Sequence, residues 1–330
     1  MKWISPALLL TPRLTLASAL GGNQSALNPH GPLASRISEL WWYMFAVLTA
    51  GYVVTLVILF WALRQGRRGK RPDLIKSRNV VLIWGLAIPG VVFTSVLFYS
   101  VLVGQTMSVD PYKNALTIHI TGKQWWWQVR YLHGSDVIAD TANEIHVPVG
   151  VPVKLKLSST DVIHSFWAPN LSGKMDLIPG RTNETWIRAD KEGVWRGACA
   201  EFCGVQHAHM AFEVIAEKSD KYYQWLDWQR HPAITPTTDQ QRHGLMTFVT
   251  GPCGMCHAVR GTTAHGSAGP DLTHLAGRRT IAAGTLPNTR GHLGGWIVNA
   301  QGPKPGNYMP RLNMEPEQLD SLLSYLEILK

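Results

Sequence analysis

Residues 199–210 hold the densest group of metal-binding side chains in the chain. They provide two thiols, a carboxylate, an imidazole and a thioether, from Cys199, Cys203, Glu201, His207 and Met210. Soft thiolate and thioether donors together with imidazole favour copper over magnesium or calcium, and a weak thioether contact is typical of electron-transfer copper. Structural zinc would instead have four strong donors. The segment is therefore predicted to bind copper.

A second metal motif, Cys253-Gly-Met-Cys256-His257, has the spacing of covalent haem attachment. In such a motif the two thiols bond to the haem and the histidine ligates the iron. A disulfide is the alternative for each cysteine pair, because thiols of exported proteins usually oxidise. A disulfide does not need His207 and Met210 after the first pair or His257 after the second. Metal binding is therefore the favoured interpretation, and it accounts for all four cysteines.

The composition is typical of a membrane component. The chain has 330 residues, of which 45% are hydrophobic and 16% are charged, and this length allows roughly two or three domains. Most of the net charge of +9 lies before residue 105, and seven lysines and arginines fall between Arg64 and Arg78. A basic chain could bind nucleic acid, but a basic cluster between two apolar runs favours membrane topology.

The two apolar runs, residues 41–63 and 80–103, contain no Asp, Glu, Lys or Arg. As helices, each would extend roughly 35 Å, enough to cross the hydrocarbon core of a bilayer. Two buried helices of a soluble domain are the alternative, but the surrounding sequence lacks such a domain. The basic loop between the runs is expected on the cytoplasmic side, which places both termini on the opposite side.

The first 19 residues have the features of an export signal. Lys2 precedes an apolar stretch, and Ala17, Ser18 and Ala19 offer a small-residue cleavage site. Prolines and an arginine interrupt the apolar stretch, so an uncleaved start is the alternative.

Residues 107–231 are predicted to form a β-domain. Short runs of alternating apolar residues are separated by Pro and Gly turns, which is typical of a small antiparallel sandwich or barrel. The copper segment would precede the last strand, residues 210–216. His164 would lie on a loop after the strand at residues 153–157. Two loops at one end of a rigid β scaffold would then hold the metal.

A linker is predicted at residues 232–238, and residues 239–330 are predicted to fold as a helical haem domain. A first helix at residues 240–248 would lead into the haem motif. A last helix at residues 315–329 carries leucines at helical spacing. This leucine stripe is interpreted as packing against the first helix.

Taken together, these motifs resemble subunit II of haem-copper cytochrome c oxidases, in the form that carries a fused cytochrome c domain. The resemblance rests on the copper segment with His164, the tryptophan run 125–127, the segment 174–181 and the haem motif with Met309. It implies a multidomain membrane protein. The expected parts are a two-helix transmembrane hairpin in residues 20–106, an all-β cupredoxin-like barrel and an all-α class I cytochrome c domain.

The resemblance implies a binuclear copper centre, called CuA. Its donors would be two bridging thiolates, one imidazole for each ion, and a thioether and a backbone carbonyl as weak axial donors. Cys199 and Cys203 would provide the thiolates, and His164 and His207 the imidazoles. Met210 would provide the thioether and Glu201 the backbone carbonyl. The Glu201 side chain would bind a magnesium or manganese ion shared with subunit I, which suits the preference of these cations for carboxylate oxygen. Trp125 corresponds to the aromatic residue through which electrons reach the copper, whereas Trp126 and Trp127 are equally consistent with core packing.

In the haem domain, the resemblance implies covalent attachment through Cys253 and Cys256, with His257 and Met309 as axial ligands. This ligation favours electron transfer over oxygen chemistry, because it raises the iron potential and leaves no open coordination site. The alternative thioethers are Met255 and Met314.

Two positions depart from the pattern of many relatives. Val81 stands where they have a glutamate that helps to admit protons, so proton uptake is expected to differ. Arg130 stands where they have an acidic residue that docks a separate cytochrome c. Our hypothesis is that the tethered haem domain delivers the electrons instead, since a linker gives a high effective concentration.

The implied function is electron input to a terminal oxidase. Electrons would pass from an external donor, such as a cytochrome c or another redox protein, to haem c, to CuA and to subunit I. Oxygen would be reduced there, coupled to proton translocation. Subunit III is a further expected partner, and the expected location is the bacterial cytoplasmic membrane with copper and haem on the periplasmic face. The alternatives are the electron-input subunit of a CuA-containing nitric oxide reductase and a membrane-anchored copper carrier. A quinol oxidase subunit is excluded because those relatives lack the copper ligands.

Overall fold

The computed structural model describes residues 22–66, 74–108 and 116–330. The predicted export signal, residues 1–19, and the centre of the basic loop lie outside these ranges. The chain divides into two compact units. One is formed by Leu33–Pro111 and the other by Tyr112–Lys330 with the segment that ends at Pro32.

The Leu33–Pro111 unit is a pair of apolar helices. Their bounds are α1 Pro32–Gly66, α2 Leu74–Leu82, a π-helical turn Ile83–Ala87 and α3 Ile88–Ser108. The wider turn accommodates Pro89, which lacks the N–H for a regular helical bond and crowds the preceding turn. Two stretches, Pro32–Gly66 and Arg78–Met107, are long and apolar enough to cross a membrane. They contain the predicted spans at residues 41–63 and 80–103.

Within residues 116–217, all of which the structure describes, ten strands form two five-stranded sheets. The strands are β1 Leu116–Lys123, β2 Trp126–His133, β3 Asp136–Ala142, β4 Glu144–Pro148, β5 Val153–Ser159, β6 His164–Trp167, β7 Met175–Leu177, β8 Asn183–Ile187, β9 Gly193–Cys199 and β10 Ala211–Glu217. The strand order is β3-β2-β1-β5-β8 in one sheet and β4-β10-β9-β6-β7 in the other.

The strand directions depart from the purely antiparallel arrangement that the sequence predicted. Strand β1 runs parallel to β5, and β10 runs parallel to β4. Alternation of apolar residues determines which face of a strand is buried, but it carries no information about the direction of the neighbouring strand. The all-β, cupredoxin-like class of the domain agrees with the prediction.

The core between the two sheets packs directly against the copper segment. Phe166 and Phe212 stack with ring centroids 4.6 Å apart, and Trp127 meets Phe212 edge to face at 5.2 Å. Met210 and Cys199 belong to the same buried cluster. The ligand-bearing segment is thus anchored to a tightly packed group of aromatic rings.

The position of His164 differs from the sequence-based expectation. It is the first residue of β6, His164–Trp167, and does not lie on a loop. This short strand pairs with β7 and β9, so its partners come from later parts of the chain and leave no periodic signal in the local sequence. The last strand begins at Ala211 and β5 extends to Ser159, which are shifts of the kind expected at strand ends.

The haem domain is helical, as predicted. Its elements are α5 Asp239–Thr250, α6 Cys253–Cys256, β11 Thr280–Ile281, β12 Leu286–Pro287, α7 Arg290–Val298 and α8 Pro316–Leu326. A capping box formed by Thr238 and Gln241 begins α5. Helices α5 and α8 cross closely at Gly244, where a Cβ atom would lie 2.0 Å from the Ser321 carbonyl oxygen. The predicted packing of the last helix on the first is therefore confirmed, although both helices end at different residues than expected.

Between the two domains, helix α4, Ser219–Trp228, packs on the β-domain through a buried charge cluster. Trp225 stacks on His146 with ring centroids 3.9 Å apart. His146 Nδ1 lies 3.1 Å from Glu217 Oε2, and its Nε2 lies 3.7 Å from Glu144 Oε2. Burial opposes a charge on this imidazole, but the two carboxylates outweigh burial and raise the pKa of His146. The same hydrogen bond lowers the pKa of Glu217.

We expect the His146→Gln variant to lose stability in a defined pH range. Because folding raises the pKa of His146, its charge stabilises the fold fully below the unfolded value of 6.5, and this contribution disappears as the pH rises through the folded value. Glu217 contributes above its unfolded value of 4.5 and loses its contribution as the pH falls. Thermal unfolding of the detergent-solubilised protein should show a deficit on the order of 1 kcal/mol between these limits.

At alkaline pH the deficit of the same variant should fall to the part that comes from the lost stacking of the His146 ring on Trp225. The exposed His133 provides a matched control, since His133→Gln should leave the whole pH profile unchanged. A deficit of equal size at every pH would contradict a role for the His146 charge.

Candidate metal centres

The predicted copper ligands converge at one end of the β-domain, between the start of β6, the end of β9 and the segment before β10. The Cys199 and Cys203 sulphur atoms lie 3.7 Å apart. His164 Nδ1 is 3.9 Å from Cys199 Sγ, and His207 Nδ1 is 3.7 Å from Cys203 Sγ. Each thiol therefore has one imidazole beside it. The donor atoms of His164, Cys199 and Cys203 all lie within 4.8 Å of one another.

Two weaker donors complete the group. The Glu201 carbonyl oxygen lies 3.1 Å from Cys199 Sγ, and the Met210 sulphur lies 3.8 Å from Cys203 Sγ. Met210 is fully buried, whereas the Glu201 side chain is exposed. All six predicted copper-site residues are thus brought together. Their sulphur and imidazole donors fit copper in type.

The orientation of the buried His164 ring is determined by its neighbours. His164 Nε2 hydrogen-bonds to Asp161 Oδ1 at 2.8 Å, which leaves Nδ1 free to bind a metal ion. Burial opposes ionisation of Asp161, but the bond to His164 and backbone N–H donors from Gln124 and Val162 lower the pKa of Asp161. A carboxylate partner on the second ring nitrogen is a general feature of histidine metal ligands.

Proximity of the two sulphur atoms makes their protonation unequal. Hydrogen bonding from Cys203 lowers the pKa of Cys199 to about 3, and the Cys199 thiolate raises the pKa of Cys203. Cys199 is therefore the member of the pair that more readily becomes a thiolate, which is the form that binds metal. Copper must displace the proton from Cys203, so copper uptake is expected to release acid.

We expect Gly122→Ala to weaken copper binding about 10- to 100-fold. The added Cβ atom would lie 2.7 Å from His164 Cδ2 and 2.9 Å from its Cγ. The ring is fully buried, so this close approach should displace it and move Nδ1 relative to Cys199. Competition with a copper chelator measures the affinity.

A matched control for this substitution is Gly277→Ala, where an added methyl group meets no atom within 4 Å. It should bind copper like the wild type. Unchanged affinity in Gly122→Ala would contradict the assignment of His164 as a copper ligand.

The predicted haem residues Cys253, Cys256, His257 and Met309 line one cavity of about 390 Å³. His257 Nδ1 lies 2.8 Å from the Pro270 carbonyl oxygen, an arrangement that leaves Nε2 free to ligate iron. Burial lowers the pKa of His257, which favours the neutral imidazole that ligates iron. Much of the remaining wall is apolar and includes Phe248, Leu293, Ile297, Leu322 and Leu326. The residues present therefore fit a haem.

The loop before Met309 holds this residue against the cavity. The Met309 N–H donates to Asn307 Oδ1 at 2.8 Å, and the Gln301 amide donates to the Met309 carbonyl at 2.8 Å. The alternative thioethers lie in less suitable places. Met255 lines the same cavity but is 79% exposed, and Met314 is not among the residues that line it.

The haem cavity borders the copper site through Trp125. Its indole N–H donates to the Cys203 carbonyl at 2.9 Å, and the Tyr308 ring stacks on the indole with centroids 5.1 Å apart. The Tyr308 hydroxyl donates to Gln124 Oε1 at 2.8 Å, and the Gln124 amide donates to the same Cys203 carbonyl. Tyr308, which is next to Met309, thus packs on Trp125, which contacts the Cys203 backbone.

Sequence reasoning identified Trp125 but missed Tyr308. The available signal was an aromatic residue directly before Met309, but nothing in the linear sequence indicated that its ring would reach a turn far earlier in the chain. The other two tryptophans of the run differ from each other. Trp127 is a fully buried core residue, and Trp126 is partly exposed with the Lys123 ammonium 5.1 Å from its ring centroid.

Comparison with known proteins gives two family matches. Residues 116–217 match the family described as Cytochrome C oxidase subunit II, periplasmic domain, and residues 242–330 match the family described as Cytochrome c. Cytochrome c oxidase subunit 2 of Alkalihalophilus pseudofirmus is 34% identical, over 96% of this chain and 94% of the relative. The subunit of the same name from Bacillus sp. (strain PS3) is 30% identical, over 81% of this chain and 79% of the relative. Quinol oxidase subunit 2 of Bacillus anthracis is 26% identical, over 71% of this chain and 86% of the relative.

Proposed function

Because this chain belongs to the cytochrome c oxidase subunit 2 family, we propose that it collects electrons at its cytochrome c domain and passes them through its copper site to subunit I. The chain is a membrane protein with a periplasmic domain and works with subunit I in a haem-copper oxidase complex. Family membership implies CuA copper, and the cytochrome c domain implies haem.

The observation that supports the proposed route most strongly is the contact between the two ligand sets. Tyr308, next to Met309, stacks on Trp125, and Trp125 donates to the Cys203 carbonyl. When bound, haem and copper supply the one-electron carriers. The protein's part is to hold both ligand sets on packed elements and to connect them through these two aromatic rings.

The proposed roles within the copper site follow the donor types. Cys199 and Cys203 would supply the thiolates shared by two copper ions, His164 and His207 would supply the imidazoles, and Met210 and the Glu201 carbonyl would supply weaker donors. Sharing both thiolates between two ions spreads the transferred charge, so that bond lengths change little. Rigid packing around the loop keeps the ligands in place in both redox states.

The external donor is proposed to deliver electrons to the haem domain and not directly to Trp125. Trp125 is only 7% exposed, and Tyr308 covers its ring. A separate cytochrome c would have to displace this contact. Arg130, at the position where many relatives have an acidic docking residue, bonds within the sheet to Gln128 and lies 3.9 Å from Asp140.

Further parts of the proposal concern the complex. The exposed Glu201 carboxylate is available to a magnesium or manganese ion shared with subunit I. Subunit III is a second proposed partner, and the proposed location is the bacterial cytoplasmic membrane. Oxygen reduction in subunit I is proposed to be coupled to proton translocation, with a proton-uptake route that does not use a glutamate at position 81, where this chain has Val81.

Purification of the complex through this chain tests the proposal. We expect a large haem-copper subunit to co-purify and the complex to consume oxygen when a reduced external donor is added, with haem c reduced before the copper. Isolation without a large subunit, or consumption of nitric oxide in place of oxygen, would overturn the oxidase assignment.

A further inference from the structure

Lys304 is a buried cation at the boundary between the haem domain and the β-domain. Its side chain is 3% exposed, and its ammonium donates to the Trp125 carbonyl at 3.1 Å and to the Ala282 carbonyl at 3.3 Å. The same side chain lines the haem cavity. Sequence reasoning gave Lys304 no role.

The charge of Lys304 is poorly compensated by the protein. Burial lowers the pKa of Lys304 to about 8, and within the described residues the Cys203 sulphur is the one group that acts to raise it. Both hydrogen-bond acceptors are neutral carbonyls, which leaves one of the three ammonium donors without a partner among them. A buried charge without a counter-ion is costly, so such residues are normally paired.

A second cation of the same cavity wall is in a different situation. Arg278 donates to the Asp271 carbonyl, and the carboxylates of Glu144, Asp271 and Asp140 all act on its charge. The protein itself therefore supplies the acidic neighbours of Arg278, whereas no carboxylate of the described residues acts on Lys304.

Haem, which the cavity fits, carries negative charge that could compensate the Lys304 ammonium. Haem has propionate side chains on one edge, and these carboxylates are its negatively charged substituents. We propose that Lys304 binds a haem propionate and, through the Trp125 carbonyl, fastens that edge of the haem to the β-domain. This inference rests on haem binding in the cavity, as in the function proposed above.

The turn that offers the second carbonyl supports this role. Ala282 and Ala283 both have positive φ angles, 54° and 55°, which alanine rarely adopts. Their carbonyls are engaged by Lys304 and by the Ala211 N–H, respectively. The strained turn is thus held in place by contacts to Lys304 and to the β-domain, beside the haem cavity.

Lys304 and Tyr308 act on the same residue of the β-domain. Tyr308 packs on the Trp125 ring, while Lys304 binds the Trp125 backbone. Lys304 is therefore a positioning residue that determines where the propionate edge lies relative to Trp125, and its positive charge stabilises reduced haem over oxidised haem.

The test compares Lys304→Met with the wild type in the assembled, haem-loaded complex. The reduction potential of haem c is measured by spectroelectrochemistry, and the propionate carboxylates are followed by redox-difference infrared spectroscopy with labelled carboxyl carbons. We expect the equilibrium constant for reduction of haem c to fall at least tenfold in the variant, which lowers the reduction potential by about 59 mV for a one-electron couple. We also expect a propionate band to move to the position of an unpaired carboxylate.

Two further variants make the result specific. Lys123→Met removes a partly exposed ammonium that also joins the β-domain to the haem domain, at the Ser267 carbonyl, but does not line the cavity. It should leave potential and propionate bands unchanged. Lys304→Arg keeps the positive charge and should therefore keep the infrared band of a paired propionate. This variant tests the inference even where Lys304→Met loses methionine ligation.

An unchanged potential and unchanged propionate bands in Lys304→Met, with intact methionine ligation, would overturn the inference. An unpaired propionate band in Lys304→Arg, with methionine ligation intact, would overturn it as well. Failure of the proposed function looks different, since the wild type itself would then lack a c-type haem spectrum.

Discussion

In the Cys199→Ser variant, the donor should reduce haem c at the wild-type rate, but the complex should consume oxygen at least about 100-fold more slowly. Cys199 Sγ is the sulphur that contacts the His164 ring, the Cys203 thiol and the Glu201 carbonyl. Its loss removes one of the two shared thiolates, so the copper pair cannot form. The haem cavity does not include Cys199 and should be unaffected.

Rapid mixing of the purified complex with a reduced donor and oxygen measures both steps in one experiment. Haem reduction serves as an internal control for folding and for donor binding. His209→Asn is the matched control variant, because His209 lies in the same loop between two ligands but is exposed. Undiminished oxygen consumption in Cys199→Ser would contradict the route through copper.

The second large effect is expected at Trp125. Removal of the ring in Trp125→Ala should slow electron transfer between the haem and copper domains about 100-fold, since it removes the ring that stacks on Tyr308 and donates to the Cys203 carbonyl, and leaves only the hydrogen bonds through Gln124. Trp125→Phe should have a smaller effect. It keeps a ring for Tyr308 to stack on and loses only the indole hydrogen bond, and Gln124 still donates to the same carbonyl.

Transient absorption after rapid reduction of haem c, followed at the haem and copper bands, measures this rate. Trp228→Phe is a matched control, because it loses the same type of indole bond, to the Lys330 carbonyl at 2.8 Å, away from the contact between the ligand sets. Equal rates in Trp125→Ala and the wild type would mean that electrons reach the copper by another path.

The ligands could be predicted from the sequence where they are close together along the chain. Cys199, Cys203, His207 and Met210 occupy one segment, and Cys253, Cys256 and His257 another, so their types and spacing alone indicate copper and haem. His164 required the resemblance to a known family, and its strand was missed because β6 has only four residues and shows no clear alternation. Parallel pairing of β1 with β5 was missed because alternation does not encode strand direction.

The contact between the two ligand sets could not be predicted at all. Lys304 and Tyr308 look like ordinary residues of a methionine loop, and the resemblance that singled out Trp125 did not indicate which residues would contact it. Their roles appear only when the haem domain packs on the β-domain and brings residues 124 and 125 next to residues 304 and 308. Tertiary packing of this kind leaves no periodic or local signal.

Electron paramagnetic resonance of copper in the purified complex, together with copper quantification, tests the central claim most directly. The claim is that Cys199 and Cys203 hold a pair of copper ions that share one electron. We predict a hyperfine pattern in which the unpaired electron couples equally to two copper nuclei, and its loss in Cys199→Ser but not in His209→Asn. A pattern from a single copper nucleus, in protein with full copper content, would contradict the account.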